Sequence, residues 1–196
     1  MISIAITGGI GSGKTYISNL LQERGIPIYN ADNEAKRLML GDEVIRRGLI
    51  GLLGDNVYLN DELNKPLLAS YLFSSPGHVK QINSIVHPRV KVDFQEWLKS
   101  KQENEVAGIE SAILFEAGFQ DSVDFVLMVF APMQLRLERA MARDGASEQQ
   151  IRERMAAQLD EDKKTEMSDF VLINDGSTPL DSQIDAFLEI LKTSKK

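Results

Sequence analysis

An α/β fold built on a doubly wound parallel sheet is predicted by three observations. Residues 2–7, 106–114, 125–131 and 170–173 are apolar runs of strand length without polar alternation, as in strands buried on both faces. The segments between them carry helical periodicity. The first run feeds straight into a glycine-rich turn and then a helix, the start of a βα unit.

Taken in order, residues 2–7 form the first strand, and 14–24 continue as a helix with Ile17, Leu20 and Leu21 on one face. Gly25 ends that helix, and residues 26–29 read as a short second strand. Asp32 stands where the next helix, 33–40, begins. Residues 42–100 read as almost wholly helical, with breaks at 54–61, at 74–77 and around His87-Pro88, because proline disfavours helix at the residue before it. A charged segment over 135–167 separates the last two strands, and a final helix spans about 180–192. At 196 residues this is one domain over 1–196, with a helical subdomain at about 33–100 and a lid at about 136–167.

Composition narrows the function classes. The chain has no cysteine, which excludes disulfides and thiol catalysis. A formal net charge of -7 argues against a nucleic-acid binder, which needs a basic footprint. No apolar run approaches the roughly 20 residues of a membrane span. The apolar N-terminus is short and lacks a basic flank, so it reads as a buried strand and not a signal peptide. A cytoplasmic protein, monomer or weak oligomer, is expected.

Gly8, Gly13, Lys14 and Thr15 match G-x-x-x-x-G-K-[ST] between a strand and a helix, the setting a phosphate-binding P-loop requires. The glycines let backbone N–H groups wrap a phosphate chain, and the helix start adds its positive dipole end. ATP with Mg²⁺ is the expected ligand. Gly11, Ser12, Gly13, Lys14, Thr15 and Tyr16 form the expected nucleotide-binding set, with Lys14 at the β/γ-phosphates and the Thr15 hydroxyl on Mg²⁺. The bland alternative, a chance glycine-rich turn, is disfavoured by the strand–loop–helix context.

Other residues must separate switch, motor and kinase. The Asn-Lys-x-Asp motif of a GTPase is absent from the sequence, as is an apolar run ending in a Walker-B Asp; Glu110 lies within the strand 106–114 and Glu116 just past it. Arg136, Arg139 and Arg143 recur at spacings that share one helix face. They suit a closing lid that brings positive charge to transferring phosphoryl oxygens; a solvated face paired with Glu138 and Asp144 explains the spacing equally. Asp32, at the end of the second strand, could accept the proton of an attacking hydroxyl or cap the following helix. His87, before Pro88, reads by itself as a hydrogen-bonding histidine at a helix end.

With these parts assembled, the sequence resembles the dephospho-CoA kinase family over nearly its whole length. The matching residues are Thr7 to Thr15, Asn30-Ala31-Asp32, Leu63-Asn64-Lys65 with Leu72-Phe73, Asn83 to Pro88, Ile113 to Glu116, Arg139 to Asp144 with Arg154 and Gln158, and Asp169 to Gly176. The resemblance implies a P-loop NTPase fold with a helical substrate-binding insertion and a lid. It implies ATP- and Mg²⁺-dependent phosphorylation of the ribose 3′-hydroxyl of dephospho-CoA, the last step of coenzyme A synthesis. It makes Asp32 the catalytic base, Arg139 and Arg143 lid arginines, Asn174 a neighbour of the adenine, and His87 a contact to the acceptor. Four departures stand out: Asn30 for the first Asp of Asp-Ala-Asp, Lys65 for Arg, Ala112 for Pro and Ser168 for Ala. Two other readings stay open, a P-loop kinase for another small alcohol and a nucleotide switch without transfer.

Overall fold

The computed structural model describes residues 1–194, apart from the side chains of Phe73 and Pro76. It divides into two compact units, residues 1–29 with 98 onward, and residues 30–97. The first holds strands β1 (Ile2–Thr7), β2 (Ile28–Asn30), β5 (Val106–Glu110), β6 (Phe125–Phe130) and β7 (Phe170–Ile173), in the order β2-β5-β1-β6-β7. The described pairings in this sheet, β1 with β5, β1 with β6 and β6 with β7, are parallel. From central β1 the chain departs first to the β2 edge and later to β6 on the other side. The C-terminal end of β1 therefore lies at a topological switch point, where such sheets bind ligands.

β1, β5 and β6 are largely buried, as the absence of alternation implied, whereas β7 at the sheet edge buries only Leu172. Ile4, Ile6, Leu127, Val129 and Leu172 pack with Ile17 and Leu21 of α1 (Lys14–Glu23) and with Ile184, Phe187 and Leu191 of α9 (Leu180–Thr193). β5 is shorter than the run 106–114. Its neighbour β1 ends at Thr7, so after Ser111 N–H donates to the Ile6 carbonyl at 3.0 Å no ladder remains and the chain turns away. Between β6 and β7 lie α6 (Met133–Asp144), α7 (Glu148–Ala156) and α8 (Glu161–Glu166).

The second unit is helical apart from one small hairpin. It contains α2 (Ala31–Gly41), α3 (Glu43–Leu53), β3 (Tyr58–Leu59), β4 (Glu62–Leu63) and α4 (Lys65–Ser74), and most of α5 (Pro76–Lys99). The turn Asn60-Asp61 has φ of 52° and 63°, the left-handed pair that closes a two-residue hairpin.

Two local expectations are corrected. The break expected around His87-Pro88 is absent, because α5 runs through Pro88. Proline there removes one helical hydrogen bond, at a cost of about 3 kcal/mol. Ile82, Val86, Val90 and Phe94, spaced by four and all buried, each contribute about 1.5–3 kcal/mol, which outweighs it. The helix after β2 begins at Ala31, and its cap is Asn30, whose Oδ1 accepts from Asn33 N–H at 2.9 Å. Asp32 is thus an exposed residue of the first turn and not the cap. Asn30→Ala is expected to lower stability by about 1 kcal/mol, measured by thermal or urea unfolding.

Candidate active site

Thr7 ends β1, and residues 8–13 form the loop that enters α1. Gly11 and Gly13 have φ of 80° and 94°, values that carry strain for any residue with a Cβ. Space demands glycine as well: a Cβ on Gly11 would overlap the backbone carbonyl of Arg136, and one on Gly13 the side-chain amide of Asn174. Helix α1 starts with neither a side-chain cap nor an acidic residue in its first turn. Its leading N–H groups and dipole are therefore disposed toward an anion.

Lys14 folds back along this loop, its Nζ donating to the Gly9 carbonyl at 3.1 Å. The Thr15 hydroxyl donates to Glu110 Oε1 at 2.6 Å. Glu110, the last residue of β5 and buried, is the site residue that sequence reasoning missed. The sequence signal was weak, a lone acid inside the otherwise mostly apolar run 106–114. Asn174, just past β7, donates from Nδ2 to the Ser12 carbonyl at 2.8 Å, and its own carbonyl accepts from Arg139 at 3.0 Å. Lys14, Thr15, Ser12, Asn174 and Arg139 therefore converge on one loop. Tyr16 is exposed on α1.

The three arginines of α6 have different surroundings. Arg136 is buried against the loop, with Nε donating to the Ile10 carbonyl at 3.0 Å and Nη1 paired to Glu161 at 2.9 Å. Burial raises the Glu161 carboxyl above its ordinary range, against the opposing pull of Arg136, Lys164 and Lys14. Arg143, at the exposed end of the helix, forks onto Asp144 at 2.7 and 3.0 Å, and Arg154 reaches the same carboxylate at 2.6 Å. These guanidiniums hold Asp144 well below the usual carboxylate range. Arg143 is thus not gathered to the loop with Arg139.

In the second unit, Asp32 is exposed on α2 and His87 is half-buried on α5. Burial pushes the His87 imidazole below its ordinary pKa, while the negative charge of Asp32 pulls it back. The two groups are electrostatic neighbours.

Among the described residues no cluster of three or more His, Cys, Asp or Glu could hold a metal. Magnesium does not require one, since it is usually held by one or two protein oxygens with water and substrate phosphates. The Thr15 hydroxyl and Glu110 carboxylate, both hard oxygen donors beside the loop, fit that requirement. No helix among the described residues is long and apolar enough to cross a membrane.

A phosphate loop at the switch point of a parallel sheet, with an acid closing the neighbouring strand and arginine-bearing helices after β6, defines a phosphotransferase of the P-loop NTPase fold. The chain belongs to the dephospho-CoA kinase family, whose model, described as Dephospho-CoA kinase, matches residues 2–179. A dephospho-CoA kinase from Bacteroides fragilis is 50% identical over 183 residues, 93% of this chain and 89% of its own. One from Porphyromonas gingivalis is 42% identical over 196 residues, 100% of this chain and 96% of its own. A Thermus thermophilus protein of known crystal structure matches with a TM-score of 0.80 at 32% identity, covering 100% of this chain and 98% of its own. The chain is accordingly a kinase, and its reaction is the ATP-dependent phosphorylation of dephospho-CoA, the final step of coenzyme A synthesis.

Proposed function

We propose that the γ-phosphoryl group of ATP, bound on residues 8–15, passes to the ribose 3′-hydroxyl of dephospho-CoA supported by residues 30–97, with a lid at about 136–167 closing over it. The 3′-oxygen forms a bond to the γ-phosphorus, the bond to the ADP oxygen breaks, and the hydroxyl proton goes to the Asp32 carboxylate. Lys14 neutralises charge at the β/γ-phosphates, and Arg139 and Arg143 add positive charge as the transition state spreads it over the equatorial oxygens. Asn174 borders the adenine and His87 the acceptor. Thr15 and Glu110 would hold Mg²⁺, which when bound would neutralise charge on the triphosphate. Lid arginines that exclude water favour the hydroxyl over hydrolysis. A cytoplasmic location accords with the cysteine-free composition.

The observation that carries this assignment is the Thr15–Glu110 contact at 2.6 Å beside Lys14, a hydroxyl and an acid set for a cation at the triphosphate end of the loop. ADP release by the purified protein tests it. Dephospho-CoA should stimulate release strongly in the presence of Mg²⁺, whereas AMP, CMP, nucleosides and shikimate should not. Glu110→Gln should raise the Mg²⁺ concentration needed for half-maximal rate by about tenfold, in the range of losses at supporting metal ligands. A Mg²⁺ requirement unchanged by that substitution would remove Glu110 from the site.

A further inference from the structure

Ile10, in the middle of the phosphate loop, is held through its N–H, its carbonyl and its side chain by residues of the segment between β6 and β7. Ile10 N–H donates to Gln158 Oε1 at 3.0 Å, and the Ile10 carbonyl accepts from Arg136 Nε at 3.0 Å. The Ile10 side chain packs on a cluster of Leu137, Ala140, Ile151 and Met155, contributed by α6 and α7. On either side of it stand glycines against which residues of the same segment pack closely. A Cβ on Gly9 would collide with the Arg136 guanidinium and with Glu161 Oε1, and one on Gly11 with the Arg136 backbone.

The groups that do the holding are themselves fixed. Arg136 is 4% exposed, and its charge is answered by Glu161 at 2.9 Å. Gln158 also donates to the Ala112 carbonyl at 3.3 Å, which accepts from the fully buried Lys164 at 2.9 Å. Lys164 lies 3.4 Å from Glu116, and Glu116 accepts from Leu159 N–H at 2.7 Å. An arginine this enclosed, with Nε donating to a carbonyl and Nη1 ion-paired to a carboxylate oxygen that has no hydrogen-bond partner, is not disposed to swing onto a phosphate. It differs in this from Arg143 at the exposed end of the same helix.

We propose that the Arg136–Glu161 pair, with Gln158, is a positioning clamp on the phosphate loop, holding the Gly9-Ile10-Gly11 backbone in the shape that cradles the triphosphate. Arg136 and Glu161 act through the loop and not by touching the nucleotide. The carboxylate keeps the guanidinium plane where its Nε–H meets Ile10, and the guanidinium makes burial of that carboxylate tolerable. Because the same residues belong to the segment between β6 and β7, loop shape and the placement of that segment are coupled. The proposal rests on residues 8–15 being the ATP site.

Isothermal titration of MgATP and, separately, of dephospho-CoA into Glu161→Gln, Arg136→Lys, Arg136→Met and the double variant Arg136→Met/Glu161→Gln tests it, with melting temperature followed in parallel. Glu161→Gln should weaken MgATP binding by about tenfold while dephospho-CoA binding stays within about twofold and the protein remains folded. Arg136→Lys keeps the charge but loses the fork, so it should fail to rescue. The double variant avoids a stranded buried charge and should match the worse single variant, not the product of the two. Unchanged MgATP affinity in Glu161→Gln, or equal weakening for both ligands with a lowered melting temperature, would reduce the pair to packing. Tighter MgATP binding would mean that the carboxylate competes with phosphate, and would overturn the clamp. Lys14→Ala serves as the separate control: were it to bind MgATP as tightly as the parent, the ATP site itself would be misplaced.

Discussion

Lys14→Ala is expected to lower kcat/KM for phosphoryl transfer to dephospho-CoA by about 10²–10³-fold or more while the protein stays folded. Removing one preorganised donor from a site of developing charge typically costs that much. Lys14 carries a full positive charge at the start of α1, where four glycines bring the backbone close to a phosphate chain. Its bond to the Gly9 carbonyl at 3.1 Å is partly solvated, and losing one such bond lowers stability by about 1–2 kcal/mol. Arg at this position should not restore activity, since a planar fork cannot reproduce a compact ammonium. The measurement is steady-state ADP release beside a thermal melt. Full transfer activity in Lys14→Ala would remove the loop from catalysis.

The parts of this site that were legible in the sequence are those whose chemistry is local. The phosphate loop is written in consecutive residues, because one turn must supply glycines, a cation and a hydroxyl together. The buried parallel strands were visible because burial on both faces removes alternation. Glu110 was visible as a residue but not as a ligand, since its role arises only when β5 pairs beside β1 and its carboxylate meets Thr15 at 2.6 Å. Spacing placed Arg136, Arg139 and Arg143 on one face and could not tell them apart. Burial separates them, because Arg136 meets the loop and Glu161, Arg139 meets Asn174, and Arg143 meets Asp144. Pro88 misled in the opposite direction. The rule against proline in helices is local, and four buried side chains from Ile82 to Phe94 overrule it.

Asp32→Asn is expected to lower kcat by about 10²-fold or more, the usual contribution of a positioned general base, with little change in melting temperature. The competing role that the sequence offered for this residue was helix capping, and the structure gives that task to Asn30. An exposed residue of the first turn contributes through the helix dipole by about 1 kcal/mol at most, so a large stability loss has no physical source here. Asparagine keeps the size and hydrogen-bonding reach of the side chain but cannot take up the hydroxyl proton. The loss should therefore fall on kcat, with KM for ATP nearly unchanged, because the side chain is assigned to the acceptor's proton and not to the triphosphate. The pair Asn30→Ala and Asp32→Asn should then behave as opposites, the first losing stability with kcat largely retained, the second losing kcat with stability retained. If Asp32→Asn kept its kcat and melted early, Asp32 would be a structural residue, and the proton acceptor would have to be sought elsewhere in the protein.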